Sequence, residues 1–591
     1  MTRHKAGEVY LLIDVGHVLT HAAYVTRVEG TARLVSLAKA STTGLVGGGG
    51  LLEGVRRAAA NLELLVGRHL LDAVGELRRP SSSDGQGVDG AVVTTSLVPP
   101  LRVALVGLTR DLSLASAVRA ATVPYVNLVR TICLETSVRR WEAEDLEALI
   151  ETPLDAVVLV GGVDGGPATA IHDMGEMLSV TYSALPASMR PVVIFGGNER
   201  VQRSLVAAFS GVTELRLVAN VRPSVQMENL GELRAALAWL FHRRGIGGSP
   251  ELQKLGQWAG TDIVHDLDAF ARMLRFLAKR YELARGVLGV DLGGNGSRVL
   301  LVRPEGAALT WVTPYGMGAG LAALRELNDP TAVVRWMCQP LSWAEVWDRL
   351  SNLEVRPAGV PQTIEDWDLQ QATAREVLSR TWAGAQAAWS SQPGDGQGAG
   401  DLDMVVARGT VLTHARTPGQ AALALIDGLE LAGLLRLSLD WANLLPGLAS
   451  LSQANALAAV QVLDNDGLME LGTLVAPTGR VGWGADALRL RVVVHGETRT
   501  EMTVPGGSIW RLPLGVNERA RLELYPARGL DLGVGHRGRG VMAEVRGGAL
   551  GVIVDARGRP LSVPREESER CRILAGWQRE IDGEGGRQAV P

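Results

Sequence analysis

Asp14 and Asp291 each close an apolar strand and open the same short design: Asp-x-Gly, a turn of small residues, and a hydroxyl six positions after the aspartate. The first copy is Asp14-Val15-Gly16-His17-Val18-Leu19-Thr20, entered from Val9-Tyr10-Leu11-Leu12-Ile13. The second is Asp291-Leu292-Gly293-Gly294-Asn295-Gly296-Ser297, entered from Gly286-Val287-Leu288-Gly289-Val290. A turn of this kind offers several backbone N–H groups to an anion, and the carboxylate beside it can hold a metal-bound water. Paired copies therefore predict a phosphate gripped from two sides in a nucleotide cleft.

Both loops need a scaffold that brings them together. In the first half, buried strands are expected at Ala91-Val92-Val93-Thr94, Val103-Ala104-Leu105-Val106, Ala156-Val157-Val158-Leu159-Val160 and Val192-Val193-Ile194-Phe195, separated by helical segments. Continuous apolar runs of this sort indicate a largely parallel sheet covered on both faces. Gly47 to Gly50 precede a helical pattern over 51–77. Two strands end in glycine turns, Gly161-Gly162-Val163-Asp164-Gly165-Gly166 and Gly196-Gly197-Asn198, at the carboxyl ends where open α/β sheets bind ligands. Each such turn is also ordinary turn chemistry, because Gly and Asn tolerate positive φ.

A helical connector over 227–284 leads to the second lobe, which repeats the strand-turn-strand logic and adds a glycine loop, Tyr315-Gly316-Met317-Gly318-Ala319-Gly320. Six of the 14 tryptophans then fall in one helical stretch: Trp336, Trp343, Trp347, Trp367, Trp382 and Trp389. They form either the core of a small helical subdomain or a docking face for a protein partner. A loop over 390–401 separates this stretch from the strand Met404-Val405-Val406-Ala407, which runs into Arg408-Gly409-Thr410. Arg408 there lies against a base or in solvent. From Val481 onward, alternation such as Leu488-Arg489-Leu490-Arg491-Val492 indicates β structure. The expected organisation is a first lobe over 1–245, a helical connector over 246–285, a second lobe over 286–455 with the tryptophan-rich insertion at about 322–400, and a β-rich domain over 456–591.

Composition narrows the function. The chain has 591 residues, 46% hydrophobic and 21% charged, which calls for three or four globular domains. A net charge of −4 supplies no basic field for general nucleic-acid binding. Cys133, Cys338 and Cys571 are scattered and odd in number, against a disulfide framework or a cysteine metal site and in keeping with a reducing cytoplasm. No apolar run reaches the roughly 18 residues of a membrane span, and no signal-peptide core follows Arg3 and Lys5.

The doubled lobes resemble the actin, hexokinase and Hsp70-type ATPase fold. The particular set, Asp14 to Thr20, Gly161 to Gly166, Gly196 to Asn198, Asp291 to Ser297 and Ala407 to Ala424, resembles the glutamate mutase L family. These are accessory proteins of adenosylcobalamin-dependent mutases, unrelated to the mismatch-repair protein of similar name. The resemblance implies an α/β protein with two actin-like ATPase lobes, a helical insertion and a C-terminal β-rich domain. It implies ATP and Mg²⁺ between the lobes, with Asp14 and Asp291 as catalytic residues holding the metal's water shell. Gly16, Thr20, Gly293, Gly294 and Ser297 would line the phosphates, Gly409 would lie near the adenosine, and Gly162 and Asp164 would join the cofactor site. Its expected role is reactivation of a B12-dependent mutase, with mutase subunits as partners.

The family's first loop usually carries Ser, Thr and Lys where this chain has His17, Val18, Leu19 and His21, and Arg298 replaces an acidic residue in the second. Hydrolysis is therefore expected to be weak at best, and a catalytically silent scaffold or nucleotide sensor is the alternative. A sugar or acid kinase fits less well, since Asp164 alone presents itself as a general base.

Overall fold

The computed structural model describes residues 8–44, 50–82, 86–134, 143–305, 308–338, 341–390, 401–516 and 518–583. Gly47 to Gly49, most of the loop over 390–401 and the tail from 584 lie outside the described residues.

Strands β1 (Tyr10–Val15), β2 (Leu19–Val28) and β3 (Thr31–Ser41) form an antiparallel meander, and β4 (Gly90–Thr95) lies parallel to β1 on its other side. The chain then leaves this sheet to build a second one from β5 (Leu101–Gly107), β6 (Val126–Cys133), β7 (Ala156–Val160), β8 (Val192–Phe195) and β9 (Leu215–Leu217). This inserted sheet is parallel throughout in the order β6-β5-β7-β8-β9, as the unbroken apolar runs predict. The short strand β10 (Ile263–His265) then returns to the first sheet, parallel to β4.

The second lobe repeats the first. Strands β11 (Val287–Leu292), β12 (Ser297–Val302) and β13 (Leu309–Thr313) form the meander, β14 (Met404–Arg408) pairs parallel to β11, and β15 (Gly433–Leu439) pairs parallel to β14. The orders β3-β2-β1-β4-β10 and β13-β12-β11-β14-β15 are the same topology traced twice. Every residue of β11, β12 and β14 is buried, because helices cover both faces of their sheet. The helices Asp266–Arg280 and Leu445–Ala454 pack between the two sheets. Phe270, Leu274, Leu445 and Leu448 share one core with Leu12 and Val92 of the first sheet and Val287, Leu300 and Val406 of the second.

Three expectations change. The helical pattern over 51–77 ends at Val66, where Gly67 adopts φ 66° and donates its N–H to the Glu63 carbonyl at 2.8 Å. The connector contains β10 and the helix Asp266–Arg280, which belong to the lobes themselves; three strand residues are too few to break a helical periodicity. The chain past 455 is divided. Strands β16 (Met469–Ala476), β19 (Ile509–Leu512) and β22 (Val552–Asp555) extend the second lobe's sheet, while β17 (Asp486–Val494), β18 (Glu497–Pro505), β20 (Arg519–Pro526) and β21 (Val541–Arg546) form a four-stranded sheet. The helix Glu567–Asp582 returns Ile573, Trp577 and Ile581 to the second lobe's core.

Trp382 and Trp389 join that same core, edge to face with ring centroids 5.9 Å apart, whereas Trp343 is exposed. No disulfide joins the three cysteines. Among the described residues no helix is long and apolar enough to cross a membrane.

Candidate functional site

The β1–β2 and β11–β12 turns close in the same way: Gly16 N–H donates to the Leu19 carbonyl at 3.0 Å, and Gly293 N–H to the Gly296 carbonyl at 3.1 Å. Cross-strand register sets Asp14 opposite His21 and Asp291 opposite Arg298. The two turns meet across the cleft. A Cβ placed on Gly294 would come within 2.4 Å of Val18 Cγ2, so only glycine allows this approach. Beside them lies a cavity of about 450 Å³ lined from both lobes, by Asp14, Gly16 and Lys39 on one side and by Asp291, Gly293, Gly294 and Gly409 on the other. Gly409 sits at φ 121° with Leu292 O 2.3 Å from where its Cβ would stand, so the backbone after β14 can press against β11 only without a side chain.

Six of the expected site residues, Asp14, Asp291, Gly16, Gly293, Gly294 and Gly409, thus share one cavity. The other four are placed elsewhere. Thr20 is fully buried with its hydroxyl 2.9 Å from that of Thr42, which in turn donates to the Gly16 carbonyl at 2.8 Å. Ser297 is buried among Thr313 and Thr381, at 2.9 and 2.5 Å. Both hydroxyls turn inward beneath the strands and do not line the cavity. Gly162 and Asp164 belong to the turn after β7 in the inserted sheet, outside the lining of the cleft. Asp164 Oδ1 accepts there from Asn220 Nδ2 at 2.9 Å and from the Glu199 N–H at 3.2 Å.

The sequence reading missed two aspartates. Asp266 follows β10 and Asp440 follows β15, so they occupy equivalent positions in the two lobes, each directly after the strand that flanks β4 or β14. Both are fully buried. Asp440 accepts from the N–H groups of Leu444 and Leu445 at 2.7 and 3.1 Å. A strand ending in aspartate is the signal they share with Asp14 and Asp291. Asp440 was open to that reading, while Asp266 was hidden in a segment of helical texture.

Arg408 is neither against a base nor in solvent. It is buried at 4% exposure, its guanidinium 5.1 Å from the Phe270 ring centre, and its Nη2 bonds Asp266 Oδ2 and, at 3.0 Å, Asp291 Oδ2. Arg298 Nη1 bonds the same two oxygens at 2.9 and 3.1 Å. Burial on its own would raise Asp266, but the Arg298 and Arg408 charges outweigh it and hold the carboxyl low, at about 2. Burial pushes Asp14 up to about 6 against the pull of Arg408 and a 2.7 Å hydrogen bond from Thr94 Oγ1. Burial likewise raises Asp440 to about 7, again opposed by Arg408. His21 is lowered to about 4 by burial and then by the Lys39, His414 and Arg408 charges. Lys39 Nζ stands 3.2 Å from His414 Nε2, bridging the lobes at the cavity's edge.

Magnesium prefers hard oxygens and keeps several waters in a near-octahedral shell. The donor set here does not suit it. The Asp291 carboxylate, expected to orient that shell, already takes two guanidinium N–H groups on one oxygen, which places two fixed positive charges beside it.

A doubled β-meander with a parallel pair of strands, two Asp-x-Gly turns facing each other and a cleft between them define the two-lobed actin-type ATPase fold. Within that class the chain belongs to the MutL protein family, that of glutamate mutase L, whose profile matches residues 10–466. Among solved structures it is similar to a diol dehydratase-reactivating factor in nucleotide-free form, at 12% identity and TM-score 0.29, over 76% of this chain and 99% of that one. It is also similar to component A of the (R)-2-hydroxyglutaryl-CoA dehydratase of Acidaminococcus fermentans, at 10% identity and TM-score 0.26, over 76% and 99%. A third is the xylulose kinase of Bifidobacterium adolescentis, at 10% identity and TM-score 0.28, over 79% and 96%. No curated protein matches the sequence.

Proposed function

We propose that this chain is a cytoplasmic, ATP-binding accessory protein that reactivates an adenosylcobalamin-dependent, glutamate-type mutase, with hydrolysis weak at best. Membership of the glutamate mutase L family supports the partner class. The observation that carries the nucleotide reading is the single cavity walled by both Asp-x-Gly turns. A ligand held by both turns binds the closed arrangement of the lobes better than an open one, and that difference is what couples binding to movement. In this reading Gly16, Gly293 and Gly294 let the backbone approach the phosphates, and Gly409 leaves room for the nucleoside.

A catalytically silent scaffold or sensor is favoured by one observation: Arg298 and Arg408 neutralise the carboxylate that would otherwise arrange the reacting water. Calorimetry with ATP and a non-hydrolysable analogue, run beside a phosphate-release assay on wild type and Asp14→Asn, separates the readings. Binding with turnover that the substitution abolishes supports the ATPase; binding without turnover supports the silent form. Absence of binding sinks both. The partner is tested by recovery of activity when the chain and ATP are added to an inactivated adenosylcobalamin-dependent mutase.

A further inference from the structure

The geometry points to a cleft that takes a nucleoside phosphate as the metal-free anion, with Arg408 and Arg298 standing as built-in cations in place of a divalent ion. This rests on the nucleotide reading above and goes beyond it in naming the ionic form of the ligand.

Arg408 ends β14, the strand that runs between β11 and β15, and so emerges among all four strand-end aspartates. It bonds Asp266 and Asp291 directly, and its charge also acts on Asp14 and Asp440. A divalent ion in an actin-type cleft would gather the same carboxylates. Here the gathering is done by a side chain whose charge does not titrate in proteins. Arg298 adds a second such charge from β12, bonding the same two carboxylate oxygens. Both arginines also line the cavity.

One detail argues that the arrangement is incomplete without a ligand. Arg408 Nε is buried and has no hydrogen-bond partner. A buried unpaired N–H is costly, and a phosphate oxygen is a suitable acceptor for it. A magnesium ion meets the opposite situation. It would sit beside two guanidinium groups and compete with them for Asp291, and it would find Asp266 already neutralised.

The test is titration calorimetry of the full chain with ATP, once in excess EDTA and once in excess magnesium chloride. Binding about tenfold or more tighter in EDTA is expected, because excess magnesium converts most of the ATP to its chelate and so depletes the metal-free anion. Binding in EDTA that is equal to or weaker than in magnesium overturns the inference and leaves the nucleotide reading standing. No binding in either buffer overturns both. Arg298→Asp supplies a second readout by placing a third carboxylate beside Asp266 and Asp291. Its thermal midpoint is expected to rise with added magnesium while that of the wild type does not. A magnesium-dependent rise in the wild type, or none in the variant, overturns the role given to the arginines.

Discussion

The two hairpins have one backbone and two electrostatic characters. Topology makes His21 the counterpart of Arg298, Thr94 of Arg408, Thr20 of Ser297 and Asp266 of Asp440. In the first lobe the hairpin aspartate receives a neutral hydroxyl from Thr94 and faces an imidazole held neutral by burial. In the second, the hairpin aspartate receives two guanidinium groups. The turns, the buried hydroxyls after them and the flanking aspartates are kept in both copies, yet the arginines are concentrated in one. Because the lobes share a single cavity, the two arginines of one half can pair with a carboxylate of each, Asp266 and Asp291. Arginine contact cuts across the lobes: Asp14 of the first and Asp440 of the second, with no direct arginine bond, are pushed toward neutrality by burial, while Asp266 of the first is kept ionised.

The sharpest way to break this comparison is to remove the central cation. Arg408→Ala leaves Asp266 and Asp291 buried with only Arg298 between them, and is expected to cost about 3–5 kcal/mol in denaturant unfolding. Asp291→Asn in the same background should recover part of that loss, since the unpaired charge is the cause. A cost near zero for Arg408→Ala would show that the pairing contributes nothing to the fold. Next in size is Gly409→Ala. It forces a side chain into a left-handed backbone with Leu292 O 2.3 Å from the new Cβ, for an expected loss of about 1–3 kcal/mol. The matching position in the first lobe is Thr95, next after Thr94, so the demand for glycine belongs to the second lobe alone. Thermal unfolding of the variant checks it, and an unchanged midpoint would mean that β14 can retreat from β11.

Legibility followed the same division. The strands and the two Asp-x-Gly turns could be read because apolar runs ending in Asp-x-Gly are local features, and β5, β7 and β8 appear where their runs predict. Asp266 could not be read, because its strand is three residues long and its pairing with Arg298 and Arg408 joins three distant parts of the chain. Thr20 and Ser297, expected at the phosphates, turn inward here: a hydroxyl after a turn faces either the ligand or the core, and only Thr42 and Thr313 across the sheet decide which. Replacement of an acidic residue by Arg298 was visible; that Arg408 would meet it on the same two oxygens was not. The C-terminal segment misled for another reason. Alternating strands look alike whether they extend an existing sheet, as β16 and β22 do, or found a new one, as β17 and β20 do.

Smaller effects test the neutral half. Thr94→Val removes the 2.7 Å hydrogen bond to Asp14 while keeping shape, and should cost about 1 kcal/mol, well below its counterpart Arg408→Ala. Equal costs would erase the asymmetry. His21 offers a test by pH that Arg298 cannot. Its ordinary value near 6.5 falls to about 4 in the fold, so the folded state prefers the neutral ring. The stability this contributes is complete above pH 6.5 and is lost as pH falls from there toward about 4. Between pH 7 and pH 5 the loss should be about 1 kcal/mol after allowance for solvent screening. His21→Gln has no proton to take up, so its thermal midpoint should fall less than that of the wild type over this interval. If the two midpoints fall in parallel, the imidazole is not held neutral by its lobe, and the contrast between a titrating half and a permanently charged half fails at that residue.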